Sequence, residues 1–310
     1  MGENSGIQWT THTFNPWEGC QRVSPGCQHC YAENRNHRFA GDDQAKVLWG
    51  PNAPRRRTSA ANWRKPLNWN QAAAVAGERH RVFCASLADV FEDRFELEEM
   101  RLEVFDLIRK TPYLDWLLLT KRPQNVGRMI SASIDRTVTA PWDTREVCQW
   151  LQDWSDGQPP ANVWLGTTVE DQQRADDRIH ALLKTPARVR FLSCEPLLEQ
   201  VDLGLAGRLP RTDHPRINWV IVGGESGAGA RPFVLDWARN LLRQCRASGA
   251  APFVKQLGAK PVGIETMCDA CSMGLSVKHG PDCMGRALRD PAGGDWDEWP
   301  ADLRIREFPR

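Results

Sequence analysis

The chain has no apolar run approaching the ~20 residues that a bilayer-spanning helix needs, so the sequence argues against a helical membrane protein and no membrane partner is expected. Nor does one sign of charge dominate. With 40 basic against 39 acidic residues the net charge is +1, and any surface for nucleic acid would have to be a local patch. The first residues, Met1 to Trp9, lack the basic-then-apolar order of a secretory signal, which leads to the expectation of a cytoplasmic protein. No Gly-x-Gly-x-x-Gly follows an early strand and no Walker loop is present, which weakens the dinucleotide-binding and P-loop readings. Tyrosine is scarce too, with two residues against 14 tryptophans. Rings such as Trp9, Trp17, Trp49, Trp63 and Trp69 lie in loops and beside turns. They read first as fillers of core and loop cavities, and second as stacking platforms for a flat substrate.

Cysteine, by contrast, is plentiful, with ten residues in a chain of 310. In a reduced compartment, close cysteine clusters point to metal or catalysis rather than to a disulfide framework. Cys20, Cys27 and Cys30 form a Cys-x6-Cys-x2-Cys loop, turned by Gly19, Pro25 and Gly26. Three thiolates on one loop can hold an iron–sulfur cluster by three irons and leave the fourth open. A structural zinc site would want a fourth ligand, from His29 or a distant cysteine. A second group, Cys268-x2-Cys271-x11-Cys283 with His279 between, has spacings that fit a Cys3His zinc site or an auxiliary iron–sulfur cluster. Its plainer reading is a surface insert with free thiols. Cys84 and Cys194 lie near strand ends where they would face a cavity, while Cys148 and Cys245 read as ordinary helix residues.

Short apolar runs at 81–85, 116–120, 162–166, 189–193, 219–223 and 252–255 predict strands, with one more leading into the cysteine loop. Helical segments at 97–110, 171–184 and 235–248 alternate with them. Alternation predicts a parallel sheet, and seven units suit an α/β fold of full or partial (β/α) TIM-like barrel type with loop insertions. The barrel would occupy 1–258, with insertions at about 41–70 and 131–161, and a cysteine-containing insert and tail at 259–310 would pack on it. In a barrel the site gathers at the C-terminal strand ends. Those ends carry Ser86 and Asp89, Lys121 and Arg122, Thr168 and Glu170, Cys194 and Glu195, and Glu225.

The blocks Ile7-Gln8-Trp9-Thr10, Asn15-Pro16-Trp17-Glu18-Gly19-Cys20, Ser24-Pro25-Gly26-Cys27 and Cys30-Tyr31-Ala32-Glu33 resemble the phage and prophage "three-Cys-motif" proteins. Further matching blocks, including Leu119-Thr120-Lys121-Arg122-Pro123, Ser193-Cys194-Glu195-Pro196 and Trp296-Asp297-Glu298-Trp299-Pro300, extend the resemblance over nearly the whole chain. That family looks like an offshoot of the radical S-adenosylmethionine (SAM) enzymes, near spore photoproduct lyase. The resemblance implies a barrel of the radical SAM type and a 4Fe-4S cluster on Cys20, Cys27 and Cys30. SAM would be chelated at the fourth iron and cleaved to start hydrogen abstraction from a substrate. An electron donor such as flavodoxin or ferredoxin would then be a partner. The commoner radical SAM loop is Cys-x3-Cys-x2-Cys with an aromatic residue before the last cysteine. Here the first gap is longer and His29 stands at the aromatic position.

Barrel position and charge assign the remaining candidates. Ser86, Asp89, Lys121 and Arg122 would contact SAM, with Lys121 or Arg122 opposite its carboxylate, while Thr168 and Glu170 would bind ribose hydroxyls. Glu195 and Glu225, with Cys194, would serve substrate or acid–base chemistry, or the two glutamates would form salt bridges at the barrel mouth. Arg55, Arg56, Arg57 and Lys65 beside Trp63 combine phosphate-pairing charge with flat rings, the combination used for DNA or RNA. The competing classes are a zinc-binding barrel acting as a hydrolase and a non-catalytic protein that serves a phage-encoded partner.

Overall fold

The computed structural model describes residues 5–205, 215–227, 229–263 and 288–309. The predicted strands form within a residue or two of their expected places. In chain order the strands are β1 (His12–Thr13), β2 (Trp17–Glu18), β3 (Arg56–Arg57), β4 (His80–Cys84), β5 (Leu114–Thr120) and β6 (Val163–Thr168). They continue with β7 (Val189–Cys194), β8 (Trp219–Gly223), β9 (Phe233–Val234), β10 (Ala251–Gln256) and β11 (Pro261–Val262). The helices are α1 (Tyr31–Ala40), α2 (Ala60–Ala76), α3 (Glu98–Arg109), α4 (Val126–Thr137), α5 (Arg145–Ser155), α6 (Gln172–Lys184) and α7 (Leu235–Ser248). The fold is mixed α/β, and its main sheet has seven strands in the order β1-β4-β5-β6-β7-β8-β10. The β1–β4, β4–β5, β5–β6 and β8–β10 pairs all run parallel.

The strands are apolar runs because they are buried along their lengths. All five residues of β8 are buried, as are six of the seven in β5. Helices occupy both segments expected as insertions. The 131–161 segment holds the end of α4 and all of α5, where Val147, Leu151 and Trp154, spaced i, i+4, i+7, form the buried stripe. The 41–70 segment holds β3 and most of α2, which is capped by the Ser59 hydroxyl accepting from the Asn62 N–H and by Gly77 in the left-handed region. Among the described residues, no helix is long and apolar enough to cross a membrane.

The chain divides into two units, Met1–Thr168 with Asp177–Phe191, and Val169–Asp176 with Leu192–Arg310. In unit 1 the core is rich in rings. Phe14 meets Trp116 and Trp63 edge-on at 5.7 and 5.6 Å, and the Trp116 indole donates to Thr111 Oγ1 at 2.9 Å. His12 stacks on Trp69 at 4.3 Å and shares a 3.1 Å hydrogen bond from ring to ring with His80. In unit 2, Trp219, Phe253 and Phe308 cluster at 5.4–5.7 Å, and the Trp219 indole donates to the Glu307 carbonyl at 2.8 Å. The tail lies along β10, with Val254 and Glu307 N–H groups donating to Ile305 and Pro252 carbonyls. Trp116, Trp154, Trp219 and Trp299 therefore serve as core fillers with a satisfied indole N–H.

Candidate metal centre

The cysteine loop follows β1, the strand whose neighbour is β4. Parallel pairing sends the C-terminal ends of β1, β4, β5 and β6 the same way. Those ends lead into the cysteine loop, Ser86 and Asp89, Lys121 and Arg122, and Thr168 respectively.

Gly19 lets the loop start. Its φ is +120°, and a Cβ there would stand 2.6 Å from the Leu48 carbonyl oxygen and 2.8 Å from Arg55 Cδ. Only glycine accepts both conditions. The next residue, Cys20, is held from both sides: its carbonyl accepts from Gly50 N–H at 2.9 Å, and Arg122 Nη1 lies 3.8 Å from its sulfur. Pro25–Cys27 then form a single 3-10 turn, and Cys30 caps α1. All three loop cysteines are free thiols of intermediate exposure.

Arg122 is buried, and both of its terminal nitrogens are engaged. Its Nη1 donates to Asp89 Oδ2 at 2.7 Å, and its Nη2 donates to the Gln21 carbonyl at 3.2 Å and lies 3.7 Å from Glu92 Oε1. Burial works against its charge, yet Asp89, Cys20 and Glu92 hold its pKa above the ordinary value. Asp89 also accepts from Thr120 Oγ1 at 2.7 Å, from the Lys121 N–H at 3.1 Å and from the Phe91 N–H at 3.0 Å. Glu92 is clamped by Arg55 through two 2.7 Å bonds, with both side chains fully buried. Arg55 further donates to the carbonyls of Leu48, Gly50 and Ala53. Arg101 pins the same turn through the Val90 and Glu92 carbonyls. Lys121 Nζ reaches Thr168 Oγ1 at 3.2 Å, and its charge acts on Cys30.

These surroundings act on Cys20 and Cys30. Burial, followed by Asp89, pushes the Cys20 thiol up to about 12. Burial also raises Cys30, opposed by the Glu33 and Ala32 amides at the start of α1 and by Lys121. Arg22, paired with Glu33 at 2.8 Å, adds a cation near Cys27 and Cys30. Among the described residues, no three His, Cys, Asp or Glu side chains are drawn together as a ready cage for a metal ion. The donor set has the chemistry an iron–sulfur cluster uses, three soft sulfur ligands on one loop, and Arg122, Arg22 and Lys121 stand near them although burial outweighs them at Cys20 and Cys30.

The family model described as "Protein of unknown function (DUF5131)" matches residues 4–300. The chain belongs to the DUF5131 family. No curated protein and no solved structure matches it at a significant level.

Other sequence candidates in this DUF5131 chain fall into separate settings. Ser86 shares hydrogen bonds with Asn15 at 3.0 and 3.4 Å, and its carbonyl accepts from the Tyr31 hydroxyl at 2.7 Å. Glu170, Cys194, Glu195 and Glu225 belong to unit 2. Glu195 accepts from Lys255 Nζ at 2.5 Å and from Gln256 at 3.2 Å, while Glu225 accepts three bonds from Arg231. Both glutamates therefore stand as salt bridges. Cys194 is fully buried, and burial holds its thiol well above the ordinary value, as it does for Cys84.

Of the basic run, Arg55 is an interior residue and offers nothing to a nucleic acid. Arg56 pairs with Glu18, and Arg57 pairs with Glu103 and stacks on Trp63 at 4.1 Å; both remain exposed. Cys268, Cys271, His279 and Cys283 lie outside the described residues. Sequence reasoning passed over Glu92 and Arg101, although Asp89-x2-Glu92 directly after a strand was a visible signal for the first.

Proposed function

We propose that this chain is an iron–sulfur enzyme of the radical SAM type, built on a partial β/α barrel. The observation that supports it most is the company of the cysteine loop. Cys20 and Cys30 neighbour Arg122 and Lys121 from the end of β5, and Thr168 at the end of β6 meets Lys121. Cys20, Cys27 and Cys30 would hold three irons of a 4Fe-4S cluster. With SAM at the open iron, such a cluster supplies one-electron cleavage of SAM and hydrogen abstraction from a substrate. Lys121 is the cation best placed to meet a carboxylate of SAM, since Thr168 is a neutral partner and the Lys121 head remains a point charge. Asp89 sets the strand-end geometry by binding the Thr120 hydroxyl, the Lys121 amide and the Arg122 guanidinium together. An external one-electron donor of the flavodoxin or ferredoxin kind would serve as reductant.

Nucleic acid is the substrate class we infer, supported by exposed Arg56 and by Arg57 stacked on Trp63 beside the β2–β3 ribbon. Anaerobic purification, cluster rebuilding, and addition of SAM and reductant should yield 5′-deoxyadenosine. A fully reconstituted sample that yields none overturns the reading. Binding to single-stranded oligonucleotides should weaken steeply with salt, and salt-independent binding would overturn the substrate assignment.

A further inference from the structure

The sequence offered Arg122 as a contact for SAM, but its geometry assigns it elsewhere. Its side chain is 6% exposed, and its two terminal nitrogens donate to Asp89, the Gln21 carbonyl and the Cys20 sulfur. Behind it, the fully buried Arg55–Glu92 pair meets the same guanidinium at 3.7 Å. The two arginines and two carboxylates balance, and the group has one soft acceptor at its edge, Cys20 Sγ. A guanidinium held on three sides cannot swing away to follow a ligand, so the Nη1–Sγ approach is fixed by the fold.

We infer that Arg122 is a positioning residue which sets how readily a centre ligated by Cys20 accepts an electron. The inference rests on the iron–sulfur reading above. Adding an electron raises the negative charge of a thiolate-ligated cluster. A fixed cation and N–H donor at one ligand sulfur favour the reduced form, and a nearby carboxylate favours the oxidised one. No bond is made or broken; one electron enters from an external reductant.

The test is a mediated titration of the anaerobically reconstituted full-length protein with dithionite, with the reduced cluster read by electron paramagnetic resonance. Arg122→Gln should lower the reduced-to-oxidised ratio about tenfold at a fixed poise, equal to about 59 mV for one electron. Asp89→Asn should move the ratio the opposite way, and Arg122→Lys, which keeps the charge but loses the fork, should fall between Arg122→Gln and the wild type. A merely structural role would not give shifts of opposite sign. Should Arg122→Gln fail to fold, Asp89→Asn and Arg122→Lys still carry the comparison. A loaded cluster whose ratio stays within twofold of wild type in the folded variants overturns this inference and leaves the iron–sulfur reading standing. A wild-type protein that takes up no cluster overturns both.

Discussion

In unit 1 the carboxylates beyond β4 share their cations with a thiol, whereas in unit 2 the carboxylates beyond β7 and β8 close on cations of their own. Asp89 and Glu92 hold Arg122, and Arg122 extends to Cys20 Sγ. Glu195 and Glu225 are taken by Lys255 with Gln256 and by Arg231. Both are polar strand ends rich in charge, although the sequence suggested a SAM contact at Asp89 and acid–base or salt-bridge roles at Glu195 and Glu225. What separates them is the neighbour of the ion pair. A carboxylate closed on its own cation is electrostatically complete, while a cation network that ends on a sulfur leaves a soft donor beside fixed positive charge. The difference is the reason the proposed cluster is assigned to the cysteine loop of unit 1.

Breaking that contrast should have graded consequences. The largest effect is expected from Arg55→Met, which removes both hydrogen bonds to the buried Glu92 carboxylate, leaves it only the 3.7 Å approach of Arg122, and should lower stability by about 3–5 kcal/mol in urea denaturation. A loss below about 1 kcal/mol would mean that the pair is solvated in solution. Next comes acid sensitivity at His12. Burial, followed by His80, lowers this ring from 6.5 to about 4, so between those values the unfolded chain binds a proton that the folded chain refuses. Stability from this site is complete above about pH 6.5 and lost as pH falls toward 4, on the order of 3 kcal/mol. The slope of stability against pH over that window should flatten in His12→Phe, and an unchanged slope would exclude His12 as its source.

Gly19→Ala should cost about 1–3 kcal/mol, because a left-handed φ and the Leu48 and Arg55 contacts both oppose a Cβ. It should also reduce iron uptake, since the loop entry would have to shift; wild-type uptake would uncouple the Arg55 cradle from the cysteines. In unit 2, Lys255→Ala should cost only about 1 kcal/mol, its pair with Glu195 being partly exposed. Iron content should not change. A loss as large as that of Arg55→Met would erase the distinction between the units.

The six main predicted strands were legible because a buried parallel strand is a short apolar run bounded by polar residues, and β4 to β8 and β10 each have that form. The helix α5 was hidden by Gly157-Gln158-Pro159-Pro160 beside it, which drew the segment toward a loop, although Val147, Leu151 and Trp154 held the helical period. For the site, the grouping of Asp89, Lys121, Arg122 and Thr168 followed from the topology alone, because parallel strands end on one side. The role of Arg55 did not. A run of three arginines reads as a solvated face, and only the fold brings Glu92, 37 residues away, and the Leu48, Gly50 and Ala53 carbonyls around the first of them. Long-range pairing also sets the Arg122 guanidinium against both Asp89 and the Cys20 sulfur, which lies 102 residues away in the chain.

The central claim is that Cys20, Cys27 and Cys30 hold an iron–sulfur cluster. Its most direct test is iron, zinc and acid-labile sulfide analysis of anaerobically purified protein beside the Cys20→Ala/Cys27→Ala/Cys30→Ala variant. The account predicts brown protein with iron and sulfide in equal amounts, and the loss of one cluster's worth in the variant. Zinc in place of iron, or iron and sulfide unchanged in the triple variant, would contradict it.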